Sequence, residues 1–144
     1  GGTTTGVLSF GSTLSLAGTT TFDFNGATRG SGFDGINVTG ALTNGGGLVL
    51  NFSTTLTGGT YDLFALGSQS GDFASVTLTG LGYGAGSLVN SSGTWTGNIG
   101  GSDFTYVQST GDLTISSVPE PSTFAALAGI AVLGLATLRR RRNA

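Results

Sequence analysis

Gly47-Leu48-Val49-Leu50-Asn51-Phe52 is the stretch whose reading decides the fold class. Leu48, Leu50 and Phe52 occupy alternate positions. Successive side chains of a strand point to opposite faces, so the run reads as a strand with one apolar face. The same period of two recurs outward in both directions. Leu14 and Leu16, Phe22 and Phe24, and Ile36 and Val38 precede it; Tyr61 and Leu63, Val76 and Leu78, and Leu113 and Ile115 follow. Each run is short and flanked by Gly, Asn, Asp or Ser, the residues that make turns. Threonine fills many intervening positions, which suits a pleated, half-solvated surface. No part of this body carries a helical period, so residues 1–117 are expected to be all-β.

The runs also repeat weakly. Leu16-Ala-Gly-Thr-Thr-Thr-Phe-Asp-Phe24 aligns with Leu42-Thr-Asn-Gly-Gly-Gly-Leu-Val-Leu50, and Leu56-Thr-Gly-Gly-Thr-Tyr-Asp-Leu63 follows with one residue fewer. Each unit is an apolar residue, a tight glycine turn and a strand. Units too small to bury a face alone must stack on their neighbours. The expectation is a parallel β-helix or related solenoid, with a β-sandwich as the alternative.

Composition narrows the function. The chain has 28 Gly and no Cys, His or Met. Without cysteine there is no disulfide and no thiolate metal site. Arg29 stands against Asp23, Asp34, Asp62, Asp72, Asp103 and Asp112, leaving the body a formal charge of −5. A surface of that sign excludes nucleic acid as a partner. The chain begins without methionine or a basic and apolar leader, and is expected to be the C-terminal part of a longer exported precursor.

The last residues have a different grammar. Val118-Pro119-Glu120-Pro121-Ser122 is followed by an uncharged apolar run, residues 123–138, and then Arg139-Arg140-Arg141-Arg142. The prolines fix φ and hold Glu120 in an extended, accessible segment. The apolar run reads as a single transmembrane helix, about 24 Å long against about 30 Å of bilayer hydrocarbon. The arginines act as a cytoplasmic stop signal, which puts the body on the far side of the membrane. The domain division is therefore a body at 1–117 and a terminal segment at 118–144, its motif at 118–122, its helix at 123–138 and its Arg-rich tail at 139–144.

That segment resembles the PEP-CTERM sorting signal of Gram-negative bacteria. The resemblance implies that an exosortase, a membrane-embedded transpeptidase of cysteine type, takes Val118, Pro119, Glu120, Pro121 and Ser122 as its substrate motif. Residues 123–138 would sit in the inner membrane with the body on the periplasmic side. Processing then frees the body to the cell surface or the extracellular space, in bacteria that build biofilms and exopolysaccharide. Residues 7–115 also resemble the β-helical passengers of autotransporters and the autotransporter-associated β-strand repeat. The carrying stretches are Phe33-Asp34-Gly35-Ile36-Asn37-Val38-Thr39-Gly40, Gly47–Phe52, Gly59-Thr60-Tyr61-Asp62-Leu63-Phe64 and Ser70-Gly71-Asp72-Phe73-Ala74-Ser75-Val76. This second resemblance implies an elongated surface scaffold.

Chemistry is scarce. Without His, Cys or Lys there is no ordinary base or activated nucleophile. The six aspartates could in principle supply a carboxylate pair, yet most sit beside glycine or at strand ends, where they form turns. Asp23, Asn25 and Asp34 flank the loop 26–32 and could offer hard oxygen ligands to Ca²⁺, at a spacing that matches neither an EF-hand nor a glycine-rich nonapeptide repeat. Arg29, in that loop, is expected to pair with Asp23 or Asp34. Trp95, Tyr83 and Tyr106 could stack on sugars, with the core favoured for Trp95. The sequons at Asn37, Asn51 and Asn90 read as chance. The expectation is a non-enzymatic surface or matrix protein with no catalytic residues, cofactor or metal, whose partners are exosortase, the membrane and exopolysaccharide. The alternative is the stalk or cap of a polysaccharide-binding or polysaccharide-active β-helix protein whose active part lies upstream.

Overall fold

The computed structural model describes residues 4–117; the sorting motif at 118–122, the apolar segment at 123–138 and Arg139–Arg142 lie outside the described residues. Among the described residues the chain is all strand and turn. The strands are β1 (Val7–Phe10), β2 (Leu14–Ser15), β3 (Thr19–Phe24), β4 (Gly35–Thr43), β5 (Gly47–Phe52), β6 (Gly59–Asp62) and β7 (Phe64–Ser70). They continue as β8 (Ser75–Thr79), β9 (Gly86–Ser87), β10 (Val89–Ser91), β11 (Thr94–Ile99), β12 (Ser102–Val107) and β13 (Asp112–Ser117).

Two sheets are built from parallel pairs. In the first, β1 and β2 lie along one edge of β4 and β7 along the other. In the second, β3, β5 and β8 follow in order, and β9 closes antiparallel on β8. Val7 faces Gly35, Ile36 faces Phe64, Thr19 faces Gly47 and Gly47 faces Ser75. All are 28 residues apart, the separation that also joins Asn51 to Asp23 through their side chains. Past a bulge between Val38 and Ala41 the β4–β7 register shortens to the 27 residues that separate Thr43 from Ser70. Parallel strands need a long crossover. Here each crossover carries a strand of the other sheet, so one circuit of the chain adds one strand to each.

This register makes columns of like residues. Inside, Phe22, Leu50 and Leu78 align, as do Thr20, Leu48 and Val76. Phe24 stacks on Phe52 with ring centroids 4.3 Å apart and 17° between planes. Each fully buried Phe or Leu contributes about 1.5–3 kcal/mol relative to exposure, so these columns dominate the stability. Outside, the columns are polar. Asn51 Nδ2 donates to Asp23 Oδ1 at 2.7 Å, and Thr79 Oγ1 donates to Asn51 Oδ1 at 3.3 Å. Asn37 Nδ2 donates to Ser9 Oγ at 3.1 Å, and Ser53 Oγ donates to Asn25 Oδ1 at 2.6 Å.

The third sheet is antiparallel, in the order β10-β11-β12-β13-β6. Its two-residue turns explain the local fold. Ser92 and Gly93 have φ of 51° and 80°, and Gly100 and Gly101 have 60° and 76°. Two successive positive φ values match the twist of the flanking strands, and glycine adopts them without a Cβ penalty. The sheet closes over the last parallel strands. Leu63 N and Phe64 N donate to Gly111 O at 3.0 and 3.3 Å. Phe104 packs against Phe52 and Tyr83, and Tyr106 against Phe73.

Two features of the sequence reading change. The alignment of Leu16–Phe24 with Leu42–Leu50 is two residues short: Phe22, not Phe24, meets Leu50, and Phe24 meets Phe52. An even slip keeps every residue on its correct face, which is why period two alone could not expose it. Leu56–Leu63 is not a third unit of the stack either. Its strand β6 pairs antiparallel with β13, and the third level belongs to β8.

Candidate functional site

The last described strand, β13, is an inner strand of its sheet. β13 lies between β12 and β6, and its last residue, Ser117, pairs with Ser102. Val118 therefore follows a hydrogen-bonded ladder directly, with no linker between body and motif.

The loop 26–32 gathers the residues that could bind a cation, and each has protein partners. Asp34 Oδ1 accepts from Gly6 N and Oδ2 from Asp23 N, both at 2.8 Å. Asp23 Oδ1 accepts from Asn51 Nδ2, and Asn25 Oδ1 accepts from Ser53 Oγ. Each such bond removes a lone pair that a Ca²⁺ ion would need. Among the described residues no cluster of three acidic or metal-ligating side chains forms. What this group does is fasten: Asp34 ties the start of β1 to β3.

Arg29 pairs with neither Asp23 nor Asp34. Its Nε donates to Asp62 O at 2.7 Å and lies 3.6 Å from Asp62 Oδ2. Nη1 donates to Asn37 Oδ1 at 2.8 Å and Nη2 to Ile36 O at 3.2 Å. The loop folds back so that Arg29 bridges to Phe33, and the guanidinium lies flat over Gly35. A Cβ on Gly35 would stand 2.6 Å from Arg29 Cζ. A side chain at position 35 would require the guanidinium to shift from its present contacts with Asp62, Asn37 and Ile36.

The aromatic candidates are used internally. Trp95 is buried, and its Nε1 donates to Gln108 Oε1 at 3.0 Å. Tyr83 is buried, and its hydroxyl both donates to Leu56 O and accepts from Leu56 N, each at 2.9 Å. Tyr106 is fully buried, and its hydroxyl has no hydrogen-bond partner. Burial, with the charge of Asp112 adding, pushes its phenol well above the ordinary tyrosine range. The sequon side chains have structural roles too. Asn37 and Asn51 sit in the polar columns, and Asn90 Oδ1 accepts from Gly93 N in the β10–β11 turn.

The sequence reading passed over Gln108. It is 1 % exposed. Its Oε1 accepts from Phe73 N as well as Trp95 Nε1, both at 3.0 Å, while Nε2 donates to Asp72 Oδ1 at 2.7 Å. One side chain thus joins the antiparallel sheet to the corner before β8. Its signal was present in composition, as one of few long amides in a chain of short polar residues, but only the fold shows what it spans.

Residues 117–142 match the family model of the PEP-CTERM protein-sorting motif. The match begins at the last residue of β13 and leaves the β body outside it. This motif marks an exported, membrane-transiting precursor handled by an exosortase. No curated protein and no solved structure matches the chain.

Proposed function

We propose that this chain is a non-enzymatic surface or matrix protein of a Gram-negative bacterium, whose stacked β body is delivered by its PEP-CTERM segment. The observation that carries the reading is the sorting-motif match at 117–142, set immediately behind the final strand. In this reading exosortase binds Val118–Ser122, with Glu120 presented between two prolines. Residues 123–138 hold the precursor in the inner membrane, and Arg139–Arg142 stay cytoplasmic. The body faces the periplasm and, once cut free, joins the cell-surface or exopolysaccharide layer as an adhesin or matrix component.

The body is read here as a short β-solenoid. The constant 28-residue register in two sheets and the aligned apolar and polar columns support this. A non-enzymatic role is supported by the chemistry left over. Asp23, Asp34, Asp62 and Asp72 all accept structural hydrogen bonds or an ion pair. Trp95, Tyr83 and Tyr106 spend their rings on the core.

The test is intact-mass analysis of the exported protein with and without the exosortase. The mature form is expected to lack Arg139–Arg142. Glu120→Gln is expected to leave a membrane-bound precursor. A mature product that retains the four arginines overturns the processing step.

A further inference from the structure

The stack has one closed end and one open end. At the closed end β9 covers β8, and the antiparallel sheet covers the corner of β7. At the other end β1 and β3 are both edge strands. The interior column through Leu8, Ile36 and Phe64 shows the consequence. These residues align by register, yet their exposures are 62 %, 8 % and 0 %. Leu8 is a core-column residue standing in water. Beside it a cleft of about 280 Å³ runs between the two edges, lined by Val7, Leu8, Thr21, Phe22, Asp34 and Ile36 among others.

We infer that this open end is a stacking surface for one more tier of the same fold, carried by polypeptide N-terminal to Thr4 in the exported protein. The inference rests on the reading of the body as a stacked scaffold. The occupant has to satisfy two edges at once. It must run parallel to both β1 and β3, with the spacing that separates Val7 from Thr19 and Gly35 from Gly47. A single extended peptide satisfies one edge only. A second copy meeting this end about a twofold axis would run antiparallel and leave the 28-residue register. It would also bring together two bodies with six aspartates and one arginine each, and Asp23 and Asp34 lie at that end. Like charges placed opposite one another destabilise a pairing. A preceding tier of the same chain has neither problem. It is expected to carry an apolar residue over Leu8 and over Phe22. Over Asp23 it is expected to carry Asn, Ser or Thr, as Asn51 and Thr79 continue that column below.

The experiment inserts a copy of residues 6–33 ahead of Gly6 in the full chain, one circuit of 28 residues. Arg29 of the copy is changed to Ser, because its guanidinium would otherwise meet Val7 where the resident one lies on glycine, and Asp23 of the copy is changed to Asn, so that an amide and not a second carboxylate lies over the resident Asp23. A scrambled insert of the same composition is the control, and hydrogen exchange is read by mass spectrometry. The expected result is at least tenfold slower exchange in Val7–Phe10 and Thr19–Phe24 than with the scrambled insert, with β5 and β8 unchanged. Equal exchange with the two inserts overturns the inference, and so does lost protection in β5 and β8. Concentration-dependent protection of the same edges in the unextended chain also overturns it, in favour of a second copy. Leu8→Lys gives an independent reading. It is expected to leave the unextended chain's Tm unchanged and to abolish the gain in the extended one; equal damage in both counts against a buried Leu8. Processing of the tail is followed separately by mass, so a failed insert leaves the sorting assignment standing.

Discussion

Replacing Gln108 with Ala tests whether one buried amide joins the two halves of the body. The substitution leaves Phe73 N and Trp95 Nε1 in the interior without their acceptor, since both now donate to Gln108 Oε1 at 3.0 Å. An orphaned buried donor costs about 1–3 kcal/mol, and the lost side-chain volume adds a cavity term. The expected loss is about 3–5 kcal/mol, a large share of the about 5–15 kcal/mol that holds a typical domain. Trp95 is the chain's sole tryptophan and one of the orphaned donors, so its fluorescence reports unfolding from the site itself. With an m-value of about 2 kcal/mol/M, the urea midpoint should fall by about 2 M. A fall below about 0.3 M would refute the reasoning, because two unpaired buried donors cannot be that cheap. Gln108→Glu adds a pH signature. The new carboxylate keeps both acceptor sites but loses the donor that meets Asp72 Oδ1 at 2.7 Å. Burial and the facing Asp72 charge raise its folded pKa above the ordinary Glu value of about 4.3. Its penalty is therefore present at neutral pH and shrinks as pH falls through the folded pKa. The variant should gain stability relative to the parent between pH 7 and pH 4; a constant gap would sink the argument.

Other outcomes follow from the same geometry. Tyr106→Phe removes a buried hydroxyl without a partner, so it should leave neutral-pH stability unchanged or raise it by about 1 kcal/mol. Because Tyr106's folded pKa is raised, the native state loses stability as pH climbs past the unfolded value near 10.0; the variant should soften that alkaline loss in thermal melts, and an unchanged alkaline limb would contradict it. Gly35→Ala should cost about 1–3 kcal/mol, since its Cβ would meet Arg29 Cζ at 2.6 Å. Most of that cost should vanish in an Arg29→Ser background, and a full cost there would mean the guanidinium is not the obstacle.

The sequence made strands legible because period two survives any tertiary arrangement. Leu48, Leu50 and Phe52 are all fully buried, as their spacing demanded. It made the turn chemistry legible as well, although Ser92-Gly93 and Gly100-Gly101 were not read as hairpins. Each is a two-residue connection between alternating runs, the local sign of antiparallel pairing. What stayed hidden is non-local. A slip of two residues preserves every inside and outside assignment, so Phe22 could be set against Leu48 or Leu50 with equal apolar match. The polar columns settle it: at the true offset Asp23 meets Asn51 and Asn25 meets Ser53, whereas a two-residue slip sets Asp23 against Val49. Polar pairs carry more register information than apolar ones here, because a hydrogen bond has a direction and a leucine does not.

The same asymmetry governs the candidate site. Charge scarcity made Arg29 conspicuous, but not its partner. The loop 26–32 made Asp23 and Asp34 the near choices, and proximity in sequence favoured them. In the fold both carboxylates already accept from N–H donors across the stack, so the guanidinium finds the Asp62 carbonyl instead. Backbone donors that must be satisfied outrank an exposed ion pair, which contributes little on its own. The sorting segment was readable for the opposite reason. Its information is linear: two prolines around a glutamate, an apolar run and an arginine cluster follow in order along the chain, so no fold is needed to assemble them. A linear signal attached without a linker to a ladder-paired strand then imposes its own constraint. An exosortase that recognises the motif at 117–142 has to work next to Ser117, which is held to Ser102 in the β13–β12 ladder.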